Sequence, residues 1–589
     1  MAAAGGGIST HLFVAAIDFG TTYSGYAFSA RDDFQKEPLK INANVWNAGA
    51  RSLMSHKAPT ALLLNPDKSF NSFGYDAENN FAQLAEDDEH HEYYFFHHFK
   101  MVLHNNKTLN RNTTVAVVGG DDRTLTALEV FSLSIRFLKD DLMGNIQKMV
   151  TGIDDRDIKY VLTVPAIWDD KAKQFMREAA KMGGIKETQL SIALEPEAAS
   201  IFCQHLPVER AGAGNESFLK VAKSGTKYMV VDLGGGTADI TVHQRHYDGT
   251  LRELLPATGG AFGGKSVDDA FSAFLGEITG EKNMKKLEKE HMDDFIDLFR
   301  EFETKKRAIY QDKPAKVSIT MPVSLIDIVK KDKEKTSMAN AVMSSPFGEH
   351  VSWGKQKLQI SNKQFKKLFT PTIDGIIKHM EGILNEKSFK DVENVLMVGG
   401  FADCELVQAA IRDKFKNKRI IVPDEAGLAV LKGAVLFGHV PRTISSRVAR
   451  HTYGIQSWPA FDPQRHPPEK KVMINGIARC KDAFFKYIEI GQQVTPGHVE
   501  SQVFQALKPD EATLECTVYV SNERDPVFVD EEGCTRLGLL TVPLDPHRQG
   551  AVEVEETLVF GETELHVQAK DMATGTLYEA RFDFLGGGI

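Results

Sequence analysis

AIDFGTT at residues 16–22 returns far along the chain as VDLGGGT at residues 231–237, and this repeat decides the fold. In each copy an apolar run ends in an aspartate (Asp18 or Asp232), an apolar residue, glycine and a closing threonine. The run is typical of a buried strand, and the glycines are typical of a hairpin whose backbone N–H groups point at one anion. Each aspartate stands where a metal bound to that anion would lie. The two copies predict a duplicated fold that holds a nucleotide between its halves.

The composition excludes several classes of protein. A chain of 589 residues predicts roughly three or four folding units, and its 42% hydrophobic and 25% charged residues are typical of globular proteins. The net charge of −10 argues against nucleic acid or an anionic membrane as a partner. Five scattered cysteines without metal-binding spacing indicate a reducing compartment. With no signal-peptide pattern and no apolar stretch near the ~20 residues that span a bilayer, we expect a cytoplasmic protein without membrane insertion.

Short apolar strands alternate with amphipathic helices up to about residue 440, which predicts an α/β fold. Each strand-like segment precedes glycine, proline or a polar loop, and the helical patterns lie between the strands. The predicted strands are residues 161–165, 228–232 and 395–400, and the predicted helices are residues 171–182, 284–310 and 362–384.

The pattern changes after about residue 440. Prolines cluster at residues 459–468, and short alternating segments follow, separated by turn residues. This pattern predicts a separate β-sandwich of roughly 140 residues. The predicted organisation is a flexible N-terminus at 1–11, a nucleotide-binding domain at 12–440 whose second lobe begins near 226, a polar linker at 441–452, a β-sandwich at 453–585 and a tail at 586–589.

Residues 86–98 form an acidic run that contains four histidines. A metal site is one interpretation of this run. The aromatic residues at 93–96 favour the other interpretation, in which the run is the packed or solvated start of a helix.

Two further segments add chemistry to the paired loops. Glu195 stands at a predicted strand end, just before Pro196, where it either orients a water molecule for attack on a terminal phosphate or caps the following helix. A third glycine turn, Gly399 and Gly400 followed by Phe401, suits close approach of the backbone to a nucleoside. A bare strand-to-helix turn has the same pattern.

Glu303, Lys306 and Arg307 lie on one long predicted helix. A Glu–Lys pair three residues apart is usually a surface salt bridge. The alternative is an edge that faces the ribose and purine of a nucleotide, with Arg307 stacked on the base.

These segments, in this order, resemble the actin-like ATPases and, within them, the 70-kDa heat-shock protein family. The resemblance covers nearly the whole chain. The other segments that carry it are DFGTTYS at 18–24, VPA at 164–166, EP at 195–196, DLGGGTAD at 232–239, and PDEA at 423–426 with GAV at 433–435. The segments YFFHHFKM at 94–101, FMREAA at 175–180 and PTID at 371–374 are similar to the divergent member-12 (A and B type) branch of that family.

The resemblance implies a two-lobed actin-like domain that uses ATP or ADP and Mg²⁺. It implies that Asp18 and Asp232 hold Mg²⁺ through water. Glu195 would orient the attacking water, Thr237 would line the phosphates, and Lys100 would lie near the γ-phosphate in place of the family's catalytic lysine. The implied nucleotide-binding residues are Gly20, Thr21, Thr22, Tyr23, Gly234, Gly235, Gly236, Glu303, Lys306, Arg307, Gly399, Gly400, Phe401 and Asp424.

A competing interpretation comes from residues 259–266, GGAFGGKS, which match the Walker A pattern and precede a predicted helix at 267–275. In a P-loop fold the paired loops at Asp18 and Asp232 would need a separate explanation. In the resembled family this stretch is a glycine-rich turn near the γ-phosphate and the adenosine. We therefore expect replacement of Lys265 to leave nucleotide binding largely intact.

The sequence departs from the family's pattern in three places. Lys173 stands where the family has an arginine, which keeps the charge and loses bidentate hydrogen bonding. Residues 443–450 are polar and basic, where the family has an apolar and acidic linker. No segment that would build a helical lid follows the last predicted hairpin at 564–584. The altered linker and the missing lid favour a scaffold over a lid-clamped peptide cycle.

The leading hypothesis is an ATP-binding, chaperone-like protein with weak ATPase activity, which binds client polypeptides or a specific protein partner through its β-domain. The second hypothesis is a nucleotide-gated scaffold for a signalling partner, in which hydrolysis is slow or absent. Intact Asp18, Asp232 and Glu195 favour hydrolysis. A small-molecule kinase of the same fold is a third hypothesis, and the C-terminal β-sandwich counts against it.

Overall fold

A computed structural model of the chain describes residues 9–47, 54–104, 106–119, 123–206, 224–310, 316–505, 513–544, 552–560, 563–580 and 584–586. The chain forms two compact units. The first comprises Met1–Trp168, Phe175–Arg245 and Ala257–Pro441, and the second comprises Asp169–Gln174, His246–Pro256 and Arg442–Ile589. The outermost parts of the predicted terminal segments, residues 1–8 and 587–589, lie outside the described residues.

The first unit contains one strand arrangement twice. In the first copy, Phe13–Phe19 and Tyr23–Ala30 form an antiparallel hairpin, which we call the first hairpin. Ile158–Val164 runs parallel to its first strand, and Leu190–Leu194 runs parallel to Ile158–Val164. All seven residues of Phe13–Phe19 are buried, as expected for a strand covered on both faces of its sheet.

The second copy has the same order and directions. Lys227–Leu233 and Ala238–Arg245 form the second hairpin. Asn394–Val398 runs parallel to Lys227–Leu233, and Arg419–Ile421 runs parallel to Asn394–Val398. The repeat in the sequence is therefore a repeat of the fold, and each hairpin turn lies at the carboxyl end of its first strand.

The remaining strands of the first unit extend or flank these sheets, and Ala257–Gly260 of the strand Leu251–Gly260 belongs to it as well. These strands are Asn42–Ala43, Trp46–Asn47, Met54–Ser55, Ala58–Pro59, Ala61–Leu64, Phe70–Phe73, Tyr94–His97, Thr114–Ala116, Thr124–Thr126, Val317–Thr320, Val351–Gly354 and Lys357–Ile360. The helices are Arg31–Lys36, Tyr75–Glu86, Ala127–Met149, Asp170–Met182 (from Phe175 onward), Glu195–His205, Gly264–Thr279, Glu281–Glu290, Met292–Arg307, Val323–Lys331, Met338–Ser344, Asn362–Lys367, Thr370–Asn385, Glu405–Lys414 and Ala429–His439.

The helix predicted at 284–310 is two helices, Glu281–Glu290 and Met292–Arg307. His291 between them has non-helical dihedral angles, with φ at −144° and ψ at 64°. Leu287 and Met292 lie on either side of the break, and both are buried in the core. The change of direction at His291 allows both side chains to face the core.

The helix predicted at 362–384 is also two helices, Asn362–Lys367 and Thr370–Asn385. Pro371 lies in the first turn of the second helix. Proline has no N–H to continue a preceding helix, but its fixed φ suits a helix start, so the chain begins a new helix there.

The prediction of a helix start in residues 86–98 was wrong. The helix Tyr75–Glu86 ends where this run begins, a single 3₁₀ turn covers His90–Glu92, and Tyr94–His97 is a strand. This strand pairs antiparallel with Ala61–Leu64, because its aromatic side chains alternate toward a buried cluster rather than follow a helical stripe.

The second unit is built from short antiparallel strands. One four-stranded sheet has the order Ala483–Ile488, Thr452–Ser457, Thr513–Ser521 and Cys534–Pro543. Another has the order His498–Gln505, Glu553–Phe560, His566–Asp571 and Leu577–Ala580. Residues of both sheets form one apolar core, which includes Val518, Leu540, Val554, Leu558 and Val567. The unit also contains the pair Lys471–Ile474 and Ile477–Cys480.

The segment predicted as a linker, residues 441–452, contains the strand Ile444–Val448. Within the second unit this strand pairs with Leu251 and Arg252 on one side and with Gln493–Val494 on the other. The polar and basic sequence of the segment is therefore a strand in part. Separately, none of the helices in the described ranges has the length and apolar character needed to cross a membrane.

Candidate functional site

The turns of the two hairpins face each other in the first unit. We call Gly20–Thr22 the first loop and Gly234–Thr237 the second loop. A Cβ atom added at Gly235 would clash with the Thr22 side chain, and one added at Gly236 would clash with the Thr21 side chain. The glycines of the second loop are therefore required by the approach of the first loop.

The tips of both loops carry backbone hydrogen-bond donors without a protein acceptor. These are the backbone N–H groups of Thr21, Thr22, Gly235 and Gly236, for which the described part of the chain supplies no acceptor. Thr21 and Gly236 are buried, and a buried N–H group without an acceptor is costly. A phosphate oxygen is the kind of acceptor that backbone amides of such loops take.

Asp18, at the end of the first strand, is buried and fully paired. Its Oδ2 atom lies 2.6 Å from the Nζ of Lys57, and its Oδ1 atom accepts a hydrogen bond of 2.8 Å from the Oγ1 of Thr163. Burial works to raise the pKa of Asp18, but the Lys57 and Lys100 ammonium groups and the Thr163 hydroxyl outweigh it and lower the pKa. Asp18 is therefore ionised at neutral pH.

Glu195 begins its helix at the carboxyl end of the strand Leu190–Leu194, as predicted. Its Oε1 atom lies 3.1 Å from the Nζ of Lys100, which also lies 5.0 Å from the ring centroid of Trp168. Burial, opposed by the Lys100 ammonium and helped by nearby carboxylates, raises the pKa of Glu195 to about 7. The structure thus joins the two predicted catalytic residues Glu195 and Lys100 in one ion pair.

Asp232 stands at the end of its strand as Asp18 does, and Asp239 lies directly opposite it in the second hairpin. Burial raises the pKa of Asp232 well above its ordinary value, and the charges of Glu195 and Asp239 raise it further. Asp239 also accepts the backbone N–H of Ile167 at 2.8 Å. Asp239 was not predicted as a site residue. Its place at the end of the family-like stretch 232–239 was the sequence feature that could have identified it.

The charges of this cluster fit a divalent cation. Four carboxylates meet two ammonium groups, and burial, together with the neighbouring carboxylates, raises the pKa of Asp232 and of Glu195. These groups are Asp18, Glu195, Asp232 and Asp239, with Lys57 and Lys100. Mg²⁺ prefers oxygen ligands and retains several waters, so this donor set suits it. Asp232 is the better ligand, because both oxygens of Asp18 already accept a hydrogen bond.

The predicted nucleoside-facing edge comes together beside the first loop. The Nζ of Lys306 lies 2.5 Å from Glu303 and 2.6 Å from Asp268. Arg307 lies 2.6 Å from Glu303 and covers the Tyr23 ring at 4.9 Å from its centroid. Asp268 was not predicted, because nothing in its local sequence distinguishes it from other helical acids.

The third glycine turn packs against the second loop. Gly399 has φ at +89°, and a Cβ atom added there would clash with the Asp232 carboxylate, so only glycine fits. A Cβ added at Gly264 would lie 3.6 Å from the Phe401 ring and 3.8 Å from the Lys306 Nζ, so these segments also adjoin. Gly400 begins the 3₁₀ turn that follows.

Asp424 alone among the predicted nucleotide-binding residues is not brought into the cluster. It is exposed, and the described residues include no hydrogen bond or ion pair that joins it to the other predicted residues. Its neighbour Glu425 pairs instead with Lys432 at 2.8 Å.

The Walker A interpretation of residues 259–266 was wrong. The backbone N–H groups of Gly263, Gly264 and Lys265 donate to carbonyl groups of the second loop, at 3.3, 3.2 and 2.8 Å, so they are not free to hold a phosphate. The Lys265 ammonium pairs with Asp269 at 2.5 Å. The helix that follows, Gly264–Thr279, starts earlier than the predicted 267–275.

The histidine run gives one group of possible metal ligands. Ligand atoms of Asp88, His90 and His91 lie within 4.8 Å of one another. His90 is buried edge-on against Phe81, whereas Asp88 and His91 are exposed and hydrogen-bond to each other at 3.1 Å. The packing of His90 agrees with the interpretation that this part of the run is packed rather than a metal site.

Comparisons with known proteins agree with this arrangement. The family model for the Hsp70 protein family matches residues 85–457. The chain is similar to heat shock 70 kDa protein 12A of Mus musculus, with 35% identity over 98% of this chain and 92% of the relative. It is 34% identical to heat shock 70 kDa protein 12A of Homo sapiens over the same shares. It is 33% identical to heat shock 70 kDa protein 12B of Homo sapiens over 97% of this chain and 91% of the relative.

Proposed function

The chain belongs to the 70-kDa heat-shock protein family, and from this premise we propose that it binds ATP between its two hairpin loops and hydrolyses it slowly. One observation carries the proposal. Two loops in close contact carry backbone N–H groups that have no acceptor among the described residues, and the ion pairs of Lys57 with Asp18 and of Lys100 with Glu195 lie in the same cluster. Phosphoryl transfer needs mainly positioning and charge neutralisation, and this set supplies both.

Each group has a role in this proposal. The loop amides and the hydroxyls of Thr21, Thr22 and Thr237 bind the phosphates. Mg²⁺, held by Asp232 and through water by Asp18, would neutralise charge on the terminal phosphates. The ionised Glu195 accepts a hydrogen bond from the attacking water and orients it.

Lys100 has two functions in the proposed step. Its ammonium holds Glu195 by the 3.1 Å ion pair, and the stack on the Trp168 ring fixes its position. Charge that develops on the γ-phosphate is then stabilised by the same ammonium. Burial of Lys100 strengthens this effect because water screens it little.

The edge formed by Glu303, Lys306 and Arg307 would recognise the nucleoside. The ion pairs of Lys306 with Glu303 and Asp268 fix a polar surface beside Gly264 and Phe401. Carboxylate and ammonium groups of this kind hydrogen-bond ribose hydroxyls and ring nitrogens. Arg307, already on the Tyr23 ring, extends a flat surface on which a purine is able to stack.

One observation favours the scaffold as a second candidate function. Glu195 is paired with Lys100, and its pKa of about 7 leaves it partly protonated at neutral pH. A protonated Glu195 does not orient the attacking water, so the protonated fraction would bind nucleotide without hydrolysing it.

We place partner binding in the second unit. Its two four-stranded sheets with a common apolar core support a β-sandwich, as expected for the polypeptide-binding part of a chaperone-like protein. All five cysteines are free, which supports a reducing, cytoplasmic location.

The proposal is tested by phosphate release from ATP with the purified full chain, with and without an unfolded polypeptide. Stimulation by the polypeptide supports a chaperone cycle, and tight binding with negligible release supports the scaffold. Asp18→Ala and Asp232→Ala should each abolish release, because each removes a carboxylate at a loop. Asp391→Ala, at a surface ion pair with Lys227, is the matched control. Unchanged release in both loop variants would contradict the ATPase function.

A further inference from the structure

A lysine lies against the first phosphate loop from an unexpected part of the chain. Lys57 follows the short strand Met54–Ser55 and directly precedes Ala58–Pro59. Its Nζ lies 2.6 Å from the Oδ2 of Asp18, and its side chain is only 19% exposed. A charge-assisted hydrogen bond of this length between largely buried groups is a strong contact.

The fold has an opening through which Lys57 reaches Asp18. Gly25 lies directly opposite Asp18 in the first hairpin. A Cβ atom at Gly25 would lie 3.0 Å from the Cγ of Lys57 and 2.8 Å from the carbonyl oxygen of His56. Any larger residue would push this segment away, so the absence of a side chain at Gly25 lets the Lys57 stem pass over the strand.

In the second hairpin, a carboxylate lies beside the strand-end aspartate, where the first hairpin has the Lys57 ammonium group. Asp239 lies opposite Asp232, as Gly25 lies opposite Asp18. The duplicated halves therefore differ, with an ammonium group beside the first aspartate and a second carboxylate beside the other. The positive charge of Lys57 also acts on Asp232, whose pKa it works to lower against burial and the neighbouring carboxylates.

A cation at this position has a direct consequence for nucleotide binding. Four phosphate charges of ATP must enter a space bordered by carboxylates, and Mg²⁺ ordinarily reduces that repulsion. Lys57 adds an ammonium group beside the same loop, where its ion pair with Asp18 holds it.

We propose that Lys57 is a built-in counter-ion of the first phosphate loop, which neutralises the charge of a nucleoside triphosphate in part and reduces the dependence of nucleotide affinity on Mg²⁺. This inference rests on the proposed binding of ATP. It assigns to Lys57 a contact with the phosphates or with Asp18 in the bound state, and it assigns the direct ligation of Mg²⁺ chiefly to Asp232.

The test is equilibrium binding of a fluorescent ATP analogue to the full chain, once in excess Mg²⁺ and once in EDTA. The unchanged chain should keep measurable affinity in EDTA. Lys57→Met keeps the length of the stem and removes the charge. This substitution should weaken binding in EDTA by a factor about ten times as large as the factor by which it weakens binding in Mg²⁺. Lys57→Arg should retain the behaviour of the unchanged chain.

A matched control is Lys139→Met. Lys139 forms an ion pair of 3.1 Å with Asp155, and its side chain is 15% exposed. Asp155 precedes the start of the strand Ile158–Val164, whereas Thr163 and the phosphate loops lie at its other end. This variant should leave the ratio of the two affinities unchanged, and thermal melting checks that each variant is folded.

The outcomes separate the inference from the proposed function. No binding by the unchanged chain in either condition refutes the ATP site itself. Binding in Mg²⁺ that disappears in EDTA refutes the counter-ion, and this measurement does not depend on the folding of any variant. An equal loss of affinity of Lys57→Met in both conditions also overturns the inference, because it assigns Lys57 a role unrelated to Mg²⁺.

Discussion

Glu195 is the carboxylate whose protonation state controls hydrolysis in the proposed nucleotide site. Its ion pair with Lys100 holds it in place, and burial raises its pKa to about 7. In the proposed reaction, only the ionised form orients a water molecule for attack. The rate of hydrolysis should therefore fall progressively as the pH drops below about 7.

The pH dependence of hydrolysis follows from this pKa. A carboxyl group with a raised pKa is protonated at lower pH, so kcat/KM for ATP should rise with pH and level off above about 7. Glu195→Gln should abolish hydrolysis at every pH and retain nucleotide binding, because the amide keeps the shape and loses the charge. Phosphate release and analogue binding measured across this range check both. A flat profile of kcat/KM in the unchanged chain would contradict the role of Glu195.

Residue types and spacing were enough to predict the conspicuous members of the site. Asp18 and Asp232 come from the repeated strand-loop pattern, and the structure brings them together with Glu195 and Lys100. Lys57 was not predicted, because its segment has no glycine pattern or periodicity and its position depends on the pairing of Ala58–Pro59 with the first hairpin. Local sequence does not encode which strands pair.

At the scale of elements, the helix Ala429–His439 packs closely on Glu195–His205. A Cβ atom added at Gly433 would clash with the backbone carbonyl of Ala198. This contact joins the helix Ala429–His439 to the helix that Glu195 begins. A glycine in a helix interior is usually unfavourable, so the close approach explains its presence.

Gly433→Ala should therefore destabilise the protein by about 1–3 kcal/mol, because the backbones must separate to accept one methyl group. The control is Gly144→Ala in the helix Ala127–Met149, where an added Cβ meets nothing within 4 Å. That change should stabilise the protein by up to about 1 kcal/mol, because alanine favours a helix. Denaturant unfolding measures both. A stabilising Gly433→Ala would show that the helices do not pack this closely.

Glu556 is a buried carboxyl group in the strand Glu553–Phe560 of the second unit. It is 1% exposed, and its Oε1 has no hydrogen-bond partner among the described residues. Burial raises its pKa from 4.5 to about 8. The alternating pattern of the strand places it between the core residues Val554 and Leu558.

This group makes stability depend on pH. The folded chain keeps a proton that the unfolded chain releases between pH 4.5 and about 8, so the free energy of unfolding should fall as pH rises through this window. The slope is on the order of 1 kcal/mol per pH unit. Glu556→Gln should reduce the slope of the chain by this amount, and Glu553→Gln, at an exposed neighbour, should leave the slope unchanged. Unfolding curves measured across this pH window test the prediction. An equal slope in Glu556→Gln and in the unchanged chain would refute the contribution of Glu556 to the pH dependence of stability.

The breaks in elements were the least predictable part of the fold. Hydrophobic periodicity continues through both 284–310 and 362–384, so each pattern predicts one helix. The chain breaks at His291 because core positions on either side must both be buried, and before Pro371 because proline begins a helix more easily than it continues one. Only the second break is indicated by the local sequence, through Pro371.

At the scale of the molecule, two copies of a hairpin with two parallel strands carry the proposed nucleotide site in the first unit. The repeated sequence was sufficient to predict this duplication, because each copy contains its own buried strand and glycine turn. The division of Leu251–Gly260 between the two units was not predicted. It depends on the pairing of Leu251 with Ile444, far away in the sequence.

The central claim is that ATP binds between the duplicated loops and the edge at Lys306, and not at the Walker-like turn at Lys265. Calorimetric titration of the full chain with ATP and Mg²⁺ tests it most directly, on the unchanged protein, Lys306→Met and Lys265→Met. Lys306→Met should lower the affinity by about tenfold or more, and Lys265→Met should change it by less than about twofold. Loss of binding in Lys265→Met with full binding in Lys306→Met would contradict the account.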